Sequence, residues 1–453
     1  MSTPDESSVA SCVSSAKSGD TINVLPGSAT WSNAINISSK DLTIIGAGNR
    51  SDPASNTIIT RTGDCFQIGN VGTSSASRLS NFRFIDCMIG LYGLNPDKAF
   101  RIDHNYFQSS VRREMFVTGY AYPLPPKGLF DHNVHELTRF VIYGTPALLT
   151  EGLWQHQIWA TDPDFGGPQA VYIEDCTITN NSIGAIDSNY GGRFVYRFNT
   201  TTLVGYALEF HGVQGNNRAG QRWEVYGNSF SATEPSTWTV GFLRGATGFL
   251  FNNTRPTGTW QSGIILKVER SSETKSPLGQ CDGTWNIDGN TPGFEGWPCR
   301  DQIGRSRDSG VYGGSGPWPS QALTPAYAWN NRDKNGYWGF SNYGGNQREV
   351  TLHSLENRDW YNHNALFNGM TGVGLGPVSS RPSTCTSGVA YWATDEGEWN
   401  SRNIGADGQL YKCTSTNIWT LYYKPYPYPH PLQAGSSGGG QPSPLAPANL
   451  KFK

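Results

Sequence analysis

Seven short segments between Leu79 and Asn253 share one pattern: an apolar residue, a variable residue, a third position, then usually Asn. They are Leu79-Ser-Asn-Phe, Ile102-Asp-His-Asn, Phe130-Asp-His-Asn, Ile173-Glu-Asp-Cys, Tyr196-Arg-Phe-Asn, Val225-Tyr-Gly-Asn and Leu250-Phe-Asn-Asn. Their starts lie 23, 28, 43, 23, 29 and 25 residues apart. A loose period in the twenties, with short strand patterns and no helical pattern between them, predicts a coiled solenoid. Successive coils would stack equivalent side chains ~4.8 Å apart. Residues distant in sequence can then be placed side by side.

A chain of 453 residues accommodates two or three ordinary domains or one long solenoid. Gly (54) and Pro (27) are frequent and charged residues make up only 15%, which describes many short strands joined by turns. The expected class is therefore all-β. A net charge of -2 lacks the basic excess of a nucleic-acid binder. No apolar run approaches membrane-spanning length, so membrane insertion is not expected. The amino terminus lacks the basic and apolar regions of a secretory signal. Either a signal has been removed or the protein leaves its cell by another route, such as release in a virion.

Eight cysteines favour an oxidising, extracellular destination. Cys281 with Cys299, and Cys385 with Cys413, have the spacing of loop-closing disulfides. Cys65 and Cys87 lie one coil apart and are read as stacked thiols or a bridge. Cys12 and Cys176 have no evident partner and read as buried thiols.

Residues 7–17 suit a short helix, and with residues 1–20 form a cap for the open end of the first coil. Coils fill 21–270, with an aromatic and acidic insertion near Pro146–Gln169. Residues 271–380 read as an irregular, loop-rich segment packed on the coils, and 381–432 as a small separate β element. Trp392, Trp399, Trp419 and Tyr422 in that element read either as its core or as platforms for sugars. Residues 433–453 form a flexible tail by composition. Assembly into a homo-oligomer or filament is a partner reading beside polysaccharide.

The cap helix, the opening Gly19-Asp-Thr-Ile-Asn-Val-Leu-Pro-Gly27, the Ile44–Gly48 turn and the Asp-His-Asn lines carry a resemblance. Over roughly residues 7–270 the chain resembles the right-handed parallel β-helix proteins of the pectate-lyase-like superfamily. The resemblance implies an all-β right-handed parallel β-helix solenoid with an N-terminal cap helix and a small C-terminal β element. It implies contact with polysaccharide and leaves the chemistry open, because one fold hosts many reactions. The Arg-x-Pro-x-x-Arg line of pectate lyases is absent, as are the paired-aspartate lines of polygalacturonases.

Aligning a second strand column on its glycines places Tyr92, Thr118, Tyr143, Asn189, His211, Arg244 and Lys267 on one outward stripe. Asp187 and Glu209 lie two residues back on neighbouring coils. Two carboxylates ~5 Å apart repel by roughly 3–4 kcal/mol at an effective dielectric near 20, so they need a cation, a basic neighbour or a shared proton. A shared proton would suit a retaining glycosidase. Ca²⁺ or an arginine would instead neutralise a uronate for β-elimination. On this reading Asp187, Glu209, His211 and Arg244 are catalytic, supported by Tyr190 and Arg193. Tyr92, Tyr143, Asn189, Arg218, Arg222 and Lys267 bind substrate, with Tyr190, Arg193, Arg218 and Arg222 converging from two loops. The bland alternative makes the two acids surface groups neutralised by Arg193 and His211.

A rival column is Asp103, Asp131 and Glu174, followed by Arg197. These acids read either as Ca²⁺ ligands or as partners of Arg101, His104, His132 and Arg197 in structural ladders. No other cofactor is expected. Asn105, Asn133, Asn199, Asn228 and Asn253 read as a side-chain amide ladder at the turns. Two functions therefore stand open. One is an extracellular lyase or glycoside hydrolase acting on an acidic glycan. The other is a non-catalytic structural, adhesive or virion-associated protein that assembles into a fibre or surface layer.

Overall fold

The computed structural model describes residues 1–37, 40–69, 77–119, 124–145, 157–180, 184–203, 206–212, 218–232, 237–256, 259–267, 300–311, 320–342 and 354–434. The Cys281 and Cys299 pairing, Trp154, His156 and the 435–453 tail lie outside them. The described chain is nearly all β, with large parallel sheets. Among the described residues no helix is long and apolar enough to cross a membrane.

The amino-terminal helix spans Glu6–Ser15 and turns Val9 and Val13 into the core. An eleven-stranded sheet follows the sequence in strict order. It runs through Ser77–Ser80, Phe100–Asp103, Gly128–Asp131, Val171–Glu174, Arg193–Arg197, Arg222–Tyr226 and Thr247–Phe251, every pair parallel. It continues into Ala326–Trp329 and Trp360–Tyr361, so the region expected to be irregular at 271–380 supplies further strands.

A second, nineteen-stranded sheet holds two columns of parallel strands. The first includes Tyr106–Gln108, Val134–Glu136, Thr177–Asn180, Thr200–Leu203 and Ser229–Ala232. The second includes Arg113–Gly119, Thr138–Tyr143, Ile186–Asn189, Leu208–Phe210, Thr237–Leu243, Thr259–Leu266 and Phe340–Asn342. Between residues 100 and 266 the chain visits the first sheet, then one column, then the other, and returns.

Period-two alternation decides what each strand buries. Ile102, Phe130, Ile173, Tyr196, Val225 and Leu250 of the first sheet share one apolar core with Phe107, Ile178, Ile186, Leu208, Phe210, Leu243 and Ile264 of the second. Burying each such side chain contributes ~1.5–3 kcal/mol. The turns leaving the first sheet are tied by an amide ladder. Asn105 Nδ2 donates to Asn133 Oδ1 (3.2 Å), Asn199 to Asn228 (3.1 Å), Asn228 to Asn253 (2.9 Å) and Asn253 to Asn331 (2.8 Å). Phe82 and Cys176 occupy ladder positions without an amide, and their backbone N–H groups donate to Asn105 Oδ1 and Asn199 Oδ1.

The first sheet is buried on its outer face too. Leu129, Tyr172, Val195, Tyr226, Phe249, Phe251, Tyr327 and Trp329 pack with Val389, Trp392, Trp399, Leu410, Tyr423 and Tyr428 of the C-terminal region. That region contains a four-stranded sheet: Val373–Gly376, Ala390–Ala393, Gln409–Ser415 and Ile418–Tyr423. The small β element expected to stand apart is therefore a cover, and Trp392 and Trp399 are its core. Disulfides join Cys65 to Cys87 and Cys385 to Cys413, as expected of a protein bound for an oxidising compartment. Cys176 is a buried free thiol, while Cys12 is only half-buried.

Candidate functional site

Register alone brings the two acids together. Ile186 pairs with Leu208, Asp187 with Glu209 and Ser188 with Phe210. Because Ile186, Leu208 and Phe210 face the core, Asp187 and Glu209 face outward. They are nonetheless only 9% and 5% exposed.

Two buried carboxylates at this spacing require compensation, and two arginines supply it. Nη2 of Arg139 donates to Asp187 Oδ2 and, at 2.8 Å, to Glu209 Oε2. Arg244 Nη2 pairs with Glu209 Oε1. The acids are thus not neutralised by Arg193 and His211, as one sequence reading had it. Asp187 Oδ1 has no hydrogen-bond partner among the described residues. Tyr206 donates its hydroxyl to Glu209 Oε2 at 3.2 Å.

His211 sits at the edge of this cluster. Arg244 Nη1 donates to its Nε2 at 3.3 Å, and Nε2 is 3.9 Å from Glu209 Oε1. A guanidinium can only donate, so Nε2 faces a donor, and the Asn189 Nδ2, whose amide oxygen is taken by the Tyr190 N–H, presents a second donor to Nδ1. Nδ1 is 3.3 Å from the Asn189 amide, which orients the ring.

Tyr143 pairs in register with Asn189, and its ring meets Tyr190 edge-on at 4.9 Å. Burial and then the Asp187 charge push both phenol pKa values upward, so both hydroxyls stay protonated at neutral pH. Lys267 lies over the Phe242 ring at 5.4 Å. On the same face an open depression of about 450 Å³ is lined by Asp64, Met88, Arg112, Glu114 and Phe116. Glu114 pairs in register with Arg139. Tyr92 donates to Asp64 at 3.1 Å, which puts it three strands, ~14 Å, from the acid pair. It therefore stands beside Asp64 and apart from the acid pair.

Three arginines expected to converge on Asp187 do not. Arg193, Arg218 and Arg222 are fully buried elsewhere. Arg193 bonds Gln221 and Thr161, each at 2.8 Å, and burial followed by repulsion from Arg222 lowers its pKa to about 9. Arg218 holds Asp301 and Asp308 and lies over Trp159 at 4.3 Å. Arg222 pairs with Glu224 at 2.6 Å. Arg193 and Arg222 lie on strands of the first sheet. The loop at Arg218 does reach the stripe, Tyr190 N–H donating to the Arg218 carbonyl at 3.1 Å and Gly220 N–H to the His211 carbonyl at 3.2 Å, but the Arg218 side chain turns away.

The rival acid column is in register as read: Asp103, Asp131, Glu174 and Arg197 are successive Cα partners. Arg78 binds Asp103 at 2.6 Å, Arg101 binds both oxygens of Asp131 at 2.9 Å, and Arg197 binds Glu174 at 2.6 Å. Asp103 is held well below the usual carboxylate range: its bonds to Arg78 and His104 outweigh the opposing effect of burial. With arginine on every carboxylate, this column needs no Ca²⁺ for neutrality. The cover closes it: His430 N–H and Gln433 donate to Glu174, Tyr423 to Glu224, and Arg197 donates to the Tyr426 and Pro427 carbonyls.

Sequence reasoning missed Arg139 and Tyr206. Arg139 carried a usable signal, because it stands two residues before Val141, the register partner of Asp187, and so shares its face. No family model, curated protein or solved structure matches the chain.

Proposed function

We propose that the chain coils as a right-handed parallel β-helix and works outside the cell as an enzyme that cleaves an acidic polysaccharide at Asp187 and Glu209. The repeated visiting order of three strand columns around one core supports the coil. The observation that carries the chemistry is the Arg139 nitrogen shared by the two carboxylates. Two oxygens bound to one nitrogen lie no more than two hydrogen bonds, ~5–6 Å, apart. Retaining glycosidases hold their carboxyl pair at ~5–5.5 Å.

On this reading Asp187 and Glu209 divide the nucleophile and acid–base roles at the glycosidic bond, and His211, held by contacts to Asn189 and Arg244, sits beside them. Two acids and two arginines sum to zero charge, so an anionic sugar is not repelled. The depression near Asp64 and Arg112 would receive a neighbouring sugar.

One observation favours a non-catalytic reading. The same arginine–carboxylate pairing recurs on the first sheet at Arg78–Asp103, Arg101–Asp131 and Arg197–Glu174, and the cover bonds to Arg101, Glu174 and Arg197. A fibre or surface-layer protein needs such ladders and no chemistry.

The deciding assay incubates the protein with pectate, alginate and glycosaminoglycans and follows new reducing ends and unsaturated uronates. Hydrolysis yields the first without the second, and β-elimination yields both. Loss of turnover in Asp187→Asn and His211→Asn, with folding intact, supports the site. Turnover surviving both variants removes it, and inactivity on the whole panel with ordered assembly in solution favours the fibre.

A further inference from the structure

The column of turn residues beside the amide ladder contains one gap. On successive passes the residue just before the ladder position has a left-handed backbone: His104, His132, Asp175, Phe198, Gly227 and Asn252, with φ between 53° and 69°. Neighbours in this column touch. The His104 and His132 rings stack at 4.8 Å, and Asn330, on the pass after Asn252, donates its Nδ2 to Asn252 Oδ1 at 2.7 Å. Gly227 carries no side chain, and the Phe198 ring leans into its place: a Cβ on Gly227 would lie 2.6 Å from that ring.

The rest of the gap is an open depression of about 350 Å³, roofed by the C-terminal cover. Phe198, Gly227 and Asn252 line it from the coil, and Trp399, Asn400 and Asn403 from the cover. That is the size of a small ligand pocket, ~300–1,000 Å³.

Its amides are each pinned at one end. Asn252 Oδ1 accepts from Asn330, and Asn400 Oδ1 accepts the Arg402 N–H at 3.0 Å. Asn403 Nδ2 donates to Asp407 Oδ1 at 2.9 Å. Two amide donors, Nδ2 of Asn252 and of Asn400, and one acceptor, Oδ1 of Asn403, are thereby oriented without a partner among the described residues. The charges in the lining are already engaged. Asp407 Oδ2 accepts the Trp399 and Asn400 N–H groups at 3.0 and 2.8 Å, and Arg332 donates to Asn330 Oδ1 at 3.0 Å. One acid and one arginine also cancel, so the depression selects no ion.

We propose that this depression binds one uncharged pyranose ring, free or as a unit of a polysaccharide. Sugar hydroxyls both donate and accept, which matches oriented donors and an acceptor held side by side. The apolar C–H faces of such a ring suit the aromatic rim of Phe198 and Trp399. The site lies on the turns of the first sheet and under the cover, whereas Asp187 and Glu209 lie on the second sheet. It would therefore anchor a glycan without cleaving it, whether or not the acid pair is catalytic.

The test titrates the full chain with glucose, galactose, mannose and N-acetylglucosamine, each as free sugar and as a short oligosaccharide, with a pectate oligomer as the acidic comparison. Calorimetry and ligand-observed NMR saturation transfer report binding in wild type, Asn252→Ala, Asn403→Ala and Ala406→Trp. Asn403 and Ala406 are exposed at the rim, so the first change removes only the acceptor and the second plugs the opening. Expected is saturation by at least one uncharged sugar at one ring per chain, about three- to ten-fold weaker in each Asn variant and lost in Ala406→Trp. Binding of the free sugar shows that the ring alone is read, and binding of the oligosaccharide alone shows that it is read within a chain. No saturable binding of any uncharged sugar overturns the proposal, as does binding that Asn403→Ala and Ala406→Trp both leave unchanged. Binding confined to the pectate oligomer and abolished by Asp187→Asn also overturns it, and assigns all glycan contact to the acid pair. If Asn252→Ala fails to fold, the two rim variants carry the same reading.

Discussion

Asp187 and Glu209 stand opposite each other on neighbouring parallel strands, and a single guanidinium nitrogen of Arg139 bonds to both. The pair can be ionised and nine-tenths buried only because Arg139 and Arg244 are there.

Arg139→Ala should therefore destabilise the fold by about 3–5 kcal/mol, the usual cost of removing one partner from a buried ion pair. Urea unfolding measures it. Adding Asp187→Asn to Arg139→Ala should recover part of the loss.

The amide ladder supports a second prediction. Asn228 Oδ1 accepts from the backbone and side chain of Asn199, while its Nδ2 donates to the Tyr196 carbonyl at 2.8 Å. Asn228→Ala strands these buried groups and should cost about 2–4 kcal/mol. An exposed amide, such as Asn364→Ala, should cost far less in the same unfolding experiment.

His135 is a buried imidazole whose two nitrogens lack partners among the described residues. It stacks on Phe107 at 4.8 Å and meets Phe140 edge-on. Burial lowers its pKa from 6.5 to about 3. The unfolded chain then binds a proton that the folded chain refuses, so stability is full above pH ~6.5 and falls as pH drops toward ~3. His135→Phe should raise stability by about 1–3 kcal/mol and flatten that slope. His430, lowered to about 3 by burial, should preserve a residual slope. Thermal melts between these pH values decide the matter.

The Cys65–Cys87 disulfide links residues 22 apart on adjoining strands within the core. Replacing both by alanine should lower stability by about 2–4 kcal/mol. Thiol reductant should lower the melting temperature of the wild type and leave that of the double variant less changed, with the remaining response assigned to Cys385–Cys413.

The residues show why some of this was legible beforehand. Asn105, Asn133, Asn199, Asn228 and Asn253 recur after an apolar position, and amides at such spacing satisfy turns that would otherwise leave polar groups stranded. Asp103, Asp131, Glu174 and Arg197 stack as read because they sit at one offset from those asparagines. Asp187 and Glu209 stack because period-two alternation assigns them to the face opposite Ile186 and Leu208. Arg193, Arg218 and Arg222 were misplaced because a loop backbone that lies beside Asn189 and His211 does not fix which way its long side chains turn.

Sequence by itself determined the strand class, the turn positions and which residues align across neighbouring strands, because these follow from short-range alternation and a repeated interval. Tertiary structure alone decided which outward faces meet water. Arg101 donates to the Leu432 carbonyl across 331 residues, and His430 meets Glu174 across 256. No local pattern encodes such a partner. It also decided the charge balance at Asp187 and Glu209, since a long guanidinium two residues out of register reaches both acids, and that reach depends on where the packed strands hold it.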